Sequence, residues 1–281
     1  MRVAAVQLNS TADKPANLAS AERLVRAAAA DGAQLIALPE KWTVLGDPEA
    51  LRAGAEPLDG PALTAVGRWA RELGVAILAG SITASDEDRR LHNTSVLIDS
   101  EGEQVAAYSK IHMFDVDVGG VSYRESDVED PGDALVDATV EAGSQDLHVG
   151  MSICYDLRFP ELYRILALRG ARLLTVPAAF TVPTGEAHWE PLLRARAIEN
   201  QTFVLAAAQV GPAPPHYESW GHSMVVSPWG EVLVESGPGE GFVAADIDLA
   251  EQDRLRAEFP SFANRRPQSY RWPEPAEAGR S

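Results

Sequence analysis

A thiol, a carboxylate and an amine in this chain each follow a strand-like run. Cys154, the only cysteine, comes directly after Leu147 to Ile153 and before Pro160-Glu161, which opens a helix-like segment carrying Leu162, Ile165 and Leu166 and closed by Gly170. A thiol at such a strand-to-helix turn faces free backbone N–H groups and the positive end of a dipole. These lower its pKa from about 8.5 and stabilise an oxyanion beside it. A free cysteine is also among the most buried residue types, so position alone leaves a packing role open. One cysteine excludes an internal disulfide and a multi-cysteine zinc site.

A nucleophilic thiol needs a base. The six histidines are His92, His112, His148, His188, His216 and His222. His148 points away from the face that carries Ile153, and spacing favours none of the others. A carboxylate is the alternative. Glu40 follows Pro39 at the end of the apolar run Gln34 to Leu38, where a lone charge is costly unless paired or used. Lys110, one of three lysines, stands likewise after Tyr108-Ser109. Taken singly, each reads more readily as one end of a surface salt bridge. Together they suit one rim of an α/β architecture, where sites gather at strand ends.

The elements that must position them alternate along the chain. Val3 to Leu8 reads as a buried strand. Pro15 to Ala30 sets Leu18, Leu24, Val25 and Ala28 on one helical face, with Gly32 past its end. Pro61 opens a helix that Gly74 closes, and Val75 to Ala79 is another apolar strand. Ser95 to Ile98 and Val105 to Tyr108 flank the turn Asp99-Ser100-Glu101-Gly102 and predict a hairpin. Residues 115 to 146 are polar and acidic and predict a long surface excursion. Strands at Leu173 to Val176 and Phe203 to Gln209 bracket a helix from Ala187 to Asn200. Three more strand-like segments follow, Ser223 to Ser227, Glu231 to Glu235 and Gly241 to Asp246. With so few helices per strand, two packed sheets with helices outside are expected, forming one domain over residues 1–263. The stretch 264–281, rich in Arg, Pro and Glu, reads as an extended arm or a tail.

The segments LIALPEKW (Leu35 to Trp42), YSKIHMFDVDV (Tyr108 to Val118), SICYDLRFPELYR (Ser152 to Arg164), HWEPLLRARAIENQ (His188 to Gln201) and WGHSMVVSPWGEV (Trp220 to Val232) resemble the nitrilase (carbon–nitrogen hydrolase) superfamily, in order and nearly to Tyr270. The flanks are most similar to the amidase branch that includes deaminated glutathione amidases and ω-amidases. The resemblance implies an α/β fold, a four-layer αββα sandwich. It also implies a Glu40–Lys110–Cys154 triad that works through a thioester, with no metal and no cofactor.

In that scheme Glu40 is the general base, Cys154 attacks the amide carbonyl, and Lys110 with the backbone N–H of Tyr155 stabilises the oxyanion. Glu125 falls where the family carries a second glutamate that braces the lysine. Arg158 matches a carboxylate clamp of related amidohydrolases, and an ion pair with Glu161 or Asp156 is its alternative role. Phe180 and Thr181 fall in a pocket-lining segment. The chemistry is coherent, because an amide is a poor electrophile and needs both a thiolate and positive charge where the oxyanion develops.

The implied substrate is a small carboxylate-bearing amide such as deaminated glutathione. The alternatives are ω-amidase action on α-ketoglutaramate, a nitrilase proper, or a binding protein of the same fold without turnover. The segment AAAQVG (Ala206 to Gly211) leans toward the deaminated glutathione amidases. The loop Gly119 to Arg124 and the insert Pro212 to Glu218 depart from both amidase types and are expected to shape the entrance. The resemblance further implies a homodimer or higher homo-oligomer.

Composition fits that expectation. Lys plus Arg number 24 against 41 Asp plus Glu, a net charge of −17, which argues against a nucleic-acid partner. No run of roughly 18 apolar residues suits a membrane helix, and no basic stretch followed by an apolar segment suggests export. A cytoplasmic location is the default expectation.

Overall fold

Alternation along the first strand fixes the layering. In β1 (Arg2–Gln7), Val3 and Ala5 enter one apolar core while Ala4 and Val6 enter a second, as the two-residue period of a strand requires. The structure, a computed structural model, describes residues 1–118, 120–213 and 217–270.

α1 (Lys14–Ala30) begins where the Asp13 side chain accepts the Ala16 N–H, and it buries Ala21, Leu24, Val25 and Ala28. The side chain at such a cap satisfies a donor that the first turn leaves free. β2 (Leu35–Ala37), α2 (Pro48–Gly54), α3 (Pro61–Leu73) and β3 (Ala76–Leu78) follow. Lys14 ties α1 to the chain beyond α2, with its Nζ 2.8 Å from Glu56 and 3.0 Å from the Gly54 carbonyl. α3 ends at Gly74, whose φ of 65° is the left-handed cap that glycine adopts without a Cβ penalty. Next come β4 (Ile82–Ser85), β5 (Leu91–Ile98) and β6 (Gln104–Ser109).

A hairpin of β7 (Asp115–Val118) and β8 (Val121–Arg124) leads into β9 (Asp137–Ala142) and β10 (Gln145–Met151). After α4 (Pro160–Leu168), the chain forms β11 (Leu173–Ala178), α5 (Val182–Asn200) and β12 (Phe203–Ala208). A second hairpin, β13 (Val210–Ala213) and β14 (Tyr217–Trp220), precedes β15 (Met224–Val226), β16 (Val232–Glu235), β17 (Gly241–Asp246) and α6 (Leu249–Glu258).

One sheet has the order β17-β1-β2-β3-β5-β4, with β6 on β5, and the other the order β16-β15-β12-β11-β10-β9. Their inner faces share a core that includes Val3, Leu35 and Leu97 from the first and Val149, Leu173 and Leu205 from the second. α1 and α3 cover the outer face of the first sheet, where Trp69, Ile77 and Val96 pack. Leu162, Tyr163 and Leu166 of α4, with Trp189 and Leu193 of α5, cover the second. The expected αββα sandwich is the fold.

Strand direction brings three termini to one rim. β1, β2 and β3 are parallel, β5 is antiparallel to β3, and β6 is antiparallel to β5. β6 therefore runs with β2, so the residues after both strands emerge together. β10 to β12 are parallel in the facing sheet.

Several elements differ from the sequence reading. Residues 115 to 146 are not a surface excursion throughout, because β9 is the antiparallel edge neighbour of β10 and buries Val140 and Ala142 in the main core. Its alternation is only two residues deep and is masked by Asp137 and Glu141. α5 starts five residues before Ala187, with proline in its first turn, where a missing N–H costs nothing. α2, β4 and α6 are additional; α6 buries only the polar Gln252 and so carries no apolar stripe. The insert from Pro212 to Glu218 falls largely within the β13–β14 hairpin, with residues 214–216, including His216, outside the described residues. Gly119 also lies outside them. Of the carboxyl-terminal arm, residues 264–270 are described, with one 3-10 turn at Pro267–Ser269, and 271–281 lie outside. Among the described residues no helix is long and apolar enough to cross a membrane.

Candidate active site

Beyond β2 the chain turns inward. Leu38 N–H donates to the Leu78 carbonyl, Ser81 N–H to the Pro39 carbonyl, and the Gln209 amide from the facing sheet to the Glu40 carbonyl at 2.9 Å. Glu40 is thus held at the seam between sheets and is 3% exposed. Lys110, past the end of β6, donates its N–H to the Asn93 carbonyl at 2.8 Å and is 1% exposed. Cys154 sits three residues after β10, with φ at 48°, at the head of the 3-10 turn Cys154–Arg158. Lys41, next to Glu40, is left-handed as well, with φ 51°. Such geometry costs a non-glycine residue ~1–3 kcal/mol and survives where the surroundings over-determine it.

The side chains converge. Lys110 Nζ lies 3.1 Å from Glu40 Oε1 and 2.7 Å from Glu125 Oε2, and Cys154 lines the same cavity within the field of the Glu40 charge. Asn93 Nδ2 donates to Glu40 Oε1 at 2.8 Å and to Glu125 Oε1 at 3.1 Å, bridging the two acids. The backbone N–H of Phe114 fixes Glu125 Oε2 at 2.8 Å. Lys41 Nζ is 2.7 Å from the fully buried Glu129 and 3.4 Å from Glu125.

Burial and charge set the protonation states. Burial alone would pull both lysines down, but Glu125 and Glu40 around Lys110, and Glu129, Glu125 and Glu40 around Lys41, more than offset it and hold both above the usual lysine range. Burial would likewise push Glu125 up. Lys110 and then Lys41 outweigh it and keep that carboxyl far below its ordinary value. For Cys154, burial and then the charge of Glu40 push the thiol well above its ordinary value, against opposing pulls from Lys110 and the Ala179 N–H. This reverses the dipole-based expectation of a lowered thiol. In the free site the sulfur therefore favours its protonated form.

The turn carrying Cys154 is fastened from behind. Asp156, with no exposure, accepts from Tyr108 OH at 2.7 Å, from Ile153 N–H at 2.8 Å and from His112 Nδ1 at 2.7 Å. His112 stacks on Phe159 with ring centroids 3.5 Å apart. Histidine is therefore a support here. His92 meets the backbone carbonyl of Asp130, His148 and His222 pair with the carboxylates of Asp137 and Glu235, and His188 touches Arg158.

Glu40, Lys110, Glu125 and Cys154 line one cavity of about 320 Å³, as do Tyr155, Arg158, Phe180 and Thr181. Arg158 makes no ion pair with Glu161, Asp156 or any other acid among the described residues. Its guanidinium lies over the rings of Tyr155 and Phe180, at 5.7 and 5.4 Å. Phe180 leans on Trp189, and the Thr181 hydroxyl lies 2.9 Å from Thr184 Oγ1, so each of these wall residues is backed by a neighbour. Phe114, wedged between Tyr123 and Tyr155, joins the β7–β8 hairpin to the wall. Among the described residues no cluster of three or more His, Cys, Asp or Glu has the arrangement of a metal centre.

Sequence reasoning missed Asn93, Lys41, Glu129 and Asp156. Asn93 stands as a polar residue at the head of a run that turns apolar, and Lys41 is one of only three lysines. Those signals were available. Nothing in the spacing marks Glu129 as a partner 88 positions from Lys41.

The sequence matches the carbon–nitrogen hydrolase family over residues 2–257. The Bos taurus deaminated glutathione amidase is 42% identical over 275 residues, covering 95% of this chain and 83% of that relative. The Homo sapiens omega-amidase NIT2 is 38% identical over 270 residues, covering 96% of each. Among solved structures, that of the C. elegans NitFhit protein superposes with a TM-score of 0.88 at 36% identity, covering 96% of this chain and 66% of the longer one. The chain belongs to the carbon–nitrogen hydrolase family and is an amide-hydrolysing enzyme.

Proposed function

We propose that the enzyme hydrolyses the terminal amide of a small carboxylate-bearing substrate, of the deaminated glutathione kind, through a Cys154 thioester. The observation that carries this reading is the meeting of the Cys154 thiol, Glu40 and Lys110 in one cavity whose wall also offers Arg158 without an acidic partner. Glu40 takes the thiol proton as Sγ bonds to the carbonyl carbon. Lys110, which stays protonated, and the Tyr155 N–H stabilise the oxyanion, and preorganised donors of this kind are worth ~10²–10³ each in rate. The C–N bond then breaks, the proton on Glu40 passes to nitrogen, and ammonia leaves. Glu40 next draws a proton from water, hydroxide attacks the thioester, and the proton returns to sulfur as the acid departs. Glu125, gripped by Lys110, Asn93 and the Phe114 N–H, keeps the ammonium aimed.

Arg158 suits a fork-like grip on a substrate carboxylate. The second reading is ω-amidase action on α-ketoglutaramate, favoured by the end-to-end match with the human omega-amidase. Ammonia release from deaminated glutathione, α-ketoglutaramate and a carboxylate-free amide tests both. A preference for the first supports the reading, preference for the second exchanges the two, and equal turnover of the third removes the clamp. We also propose a homodimer formed through the outer face of α4 and α5, where Ile165, Leu168, Ile198 and the adjoining Trp229 are exposed. A cytoplasmic setting accords with this chemistry.

A further inference from the structure

Beneath the reacting groups runs a second buried charge pair. Lys41 Nζ binds Glu129 Oε2 at 2.7 Å and stands 3.4 Å from Glu125 Oε1, while Thr83 donates to the other oxygen of Glu129 at 2.8 Å. The Glu129 side chain has no exposure and that of Lys41 is 10% exposed. A buried ion pair seldom repays its own desolvation, and a well-packed apolar pair of like volume holds a fold equally well or better. Packing therefore gives no reason for two charges here. Lys41 follows Glu40 in the chain, and its side chain reaches the reacting groups through Glu125, whose Oε1 is shared by Lys41, Lys110 and Asn93. Lys41 adds a second cation to that acid, and Glu129, which contacts Lys41 and Thr83, keeps the cation from closing further on Glu125 and competing with Lys110.

We propose that Lys41 and Glu129 are a positioning pair for the reaction: Lys41 helps to neutralise Glu125 alongside Lys110, and Glu129 anchors Lys41 so that Lys110 keeps its grip on both Glu40 and Glu125. The proposal rests on Glu40, Lys110 and Cys154 being the reacting groups. The charged and titratable groups facing the pair are Glu40 beyond β2, Lys110 beyond β6, Cys154 beyond β10, and Glu125 after β8. Asp47, Arg124, Asp127 and Arg158 line the same cavity.

The signs follow from charge. Loss of the Lys41 cation raises the proton affinity of the acids around it, and loss of the Glu129 anion lowers it. The experiment is the pH profile of kcat for ammonia release by the full-length enzyme and its Lys41→Met and Glu129→Gln variants, with melting temperatures measured in parallel. Lys41→Met is expected to move the acid limb up by ~1 pH unit, as for a cation within 4–6 Å of a carboxylate, and to lower kcat at neutral pH about tenfold, with KM little changed. Glu129→Gln, which keeps an acceptor for Thr83, is expected to move the limb down by on the order of half a unit. Limbs that stay at the parent position, or move in the same direction, overturn the proposal whatever the melting temperatures do. If one variant fails to fold, the direction of the other decides. Loss of ammonia release in Cys154→Ala tests the underlying assignment separately. An active Cys154→Ala removes that assignment, whereas a Cys154-dependent enzyme with unmoved limbs removes only the role of the pair.

Discussion

At the scale of single residues, burial and Glu40 hold the Cys154 thiol above its ordinary value, which separates the proposed attack on an amide from alkylation. After burial, the charge of Glu40 is what raises the thiol most, so Glu40→Gln removes an influence that disfavours the thiolate. The variant is expected to react with iodoacetamide several-fold faster than the parent near pH 7, while its ammonia release falls by ~10²-fold or more for want of a base. Alkylation followed by mass spectrometry, beside an ammonia assay, measures both; a variant that is slower in both disproves the account. Cys154→Ala should abolish turnover and leave circular dichroism unchanged. Lys110→Ala should also abolish it, but it strands two buried carboxylates, and removing one partner of a buried pair costs ~3–5 kcal/mol, so its melting temperature should fall as well. Residue identity was legible for Glu40, Lys110 and Cys154 because each breaks an apolar run at its end. It was not legible for Asn93 or Glu129, whose roles exist only once strands from distant parts of the chain are neighbours.

At the scale of elements, the approach of β3's exit to β2's exit holds Glu40 in place. Gly80, with φ at 50°, passes so close to the Leu38 and Pro39 carbonyls that any Cβ there would collide with backbone. Gly74, with φ at 65°, has open space around its missing Cβ. The two make a matched pair. Gly74→Ala should cost ~1 kcal/mol of stability for placing a Cβ in the left-handed region, a fall of ~2–4 °C in a chain of this size, with kcat intact. Gly80→Ala should displace Glu40 and reduce kcat by at least about tenfold, since a shift near 1 Å can cost ~10². Calorimetry and steady-state rates decide it, and equal activity in the two variants contradicts the role given to this crossing. The buried strands and α1, α3 and α4 could be read because apolar runs and end caps are local properties. β9, α2 and α6 could not, since their burial depends on what a distant segment brings to them.

At the scale of the molecule, two sheets close over a common core while the outer face of α4 and α5 keeps apolar side chains in water. Ile198 is 51% and Trp229 70% exposed, and they lie on the face proposed to meet a second copy. Ile198→Glu should convert the proposed dimer to a monomer in light scattering at micromolar concentration, and a parent chain that already runs as a monomer refutes the dimer. The four-layer plan was readable from the ratio of strands to helices, but the order of strands was not, because β17 returns to flank β1 from the other end of the sequence. The lysines have a further consequence. All three are committed to glutamates, at Glu56, at Glu129 with Glu125, and at Glu40 with Glu125, so the outer skin owes its positive charge to guanidinium. A reagent that seeks lysine amines, such as an active-ester dye or a bis-imidate cross-linker, finds each of them already paired with a carboxylate, and attachment to a support is better sought through arginine or carboxylate chemistry.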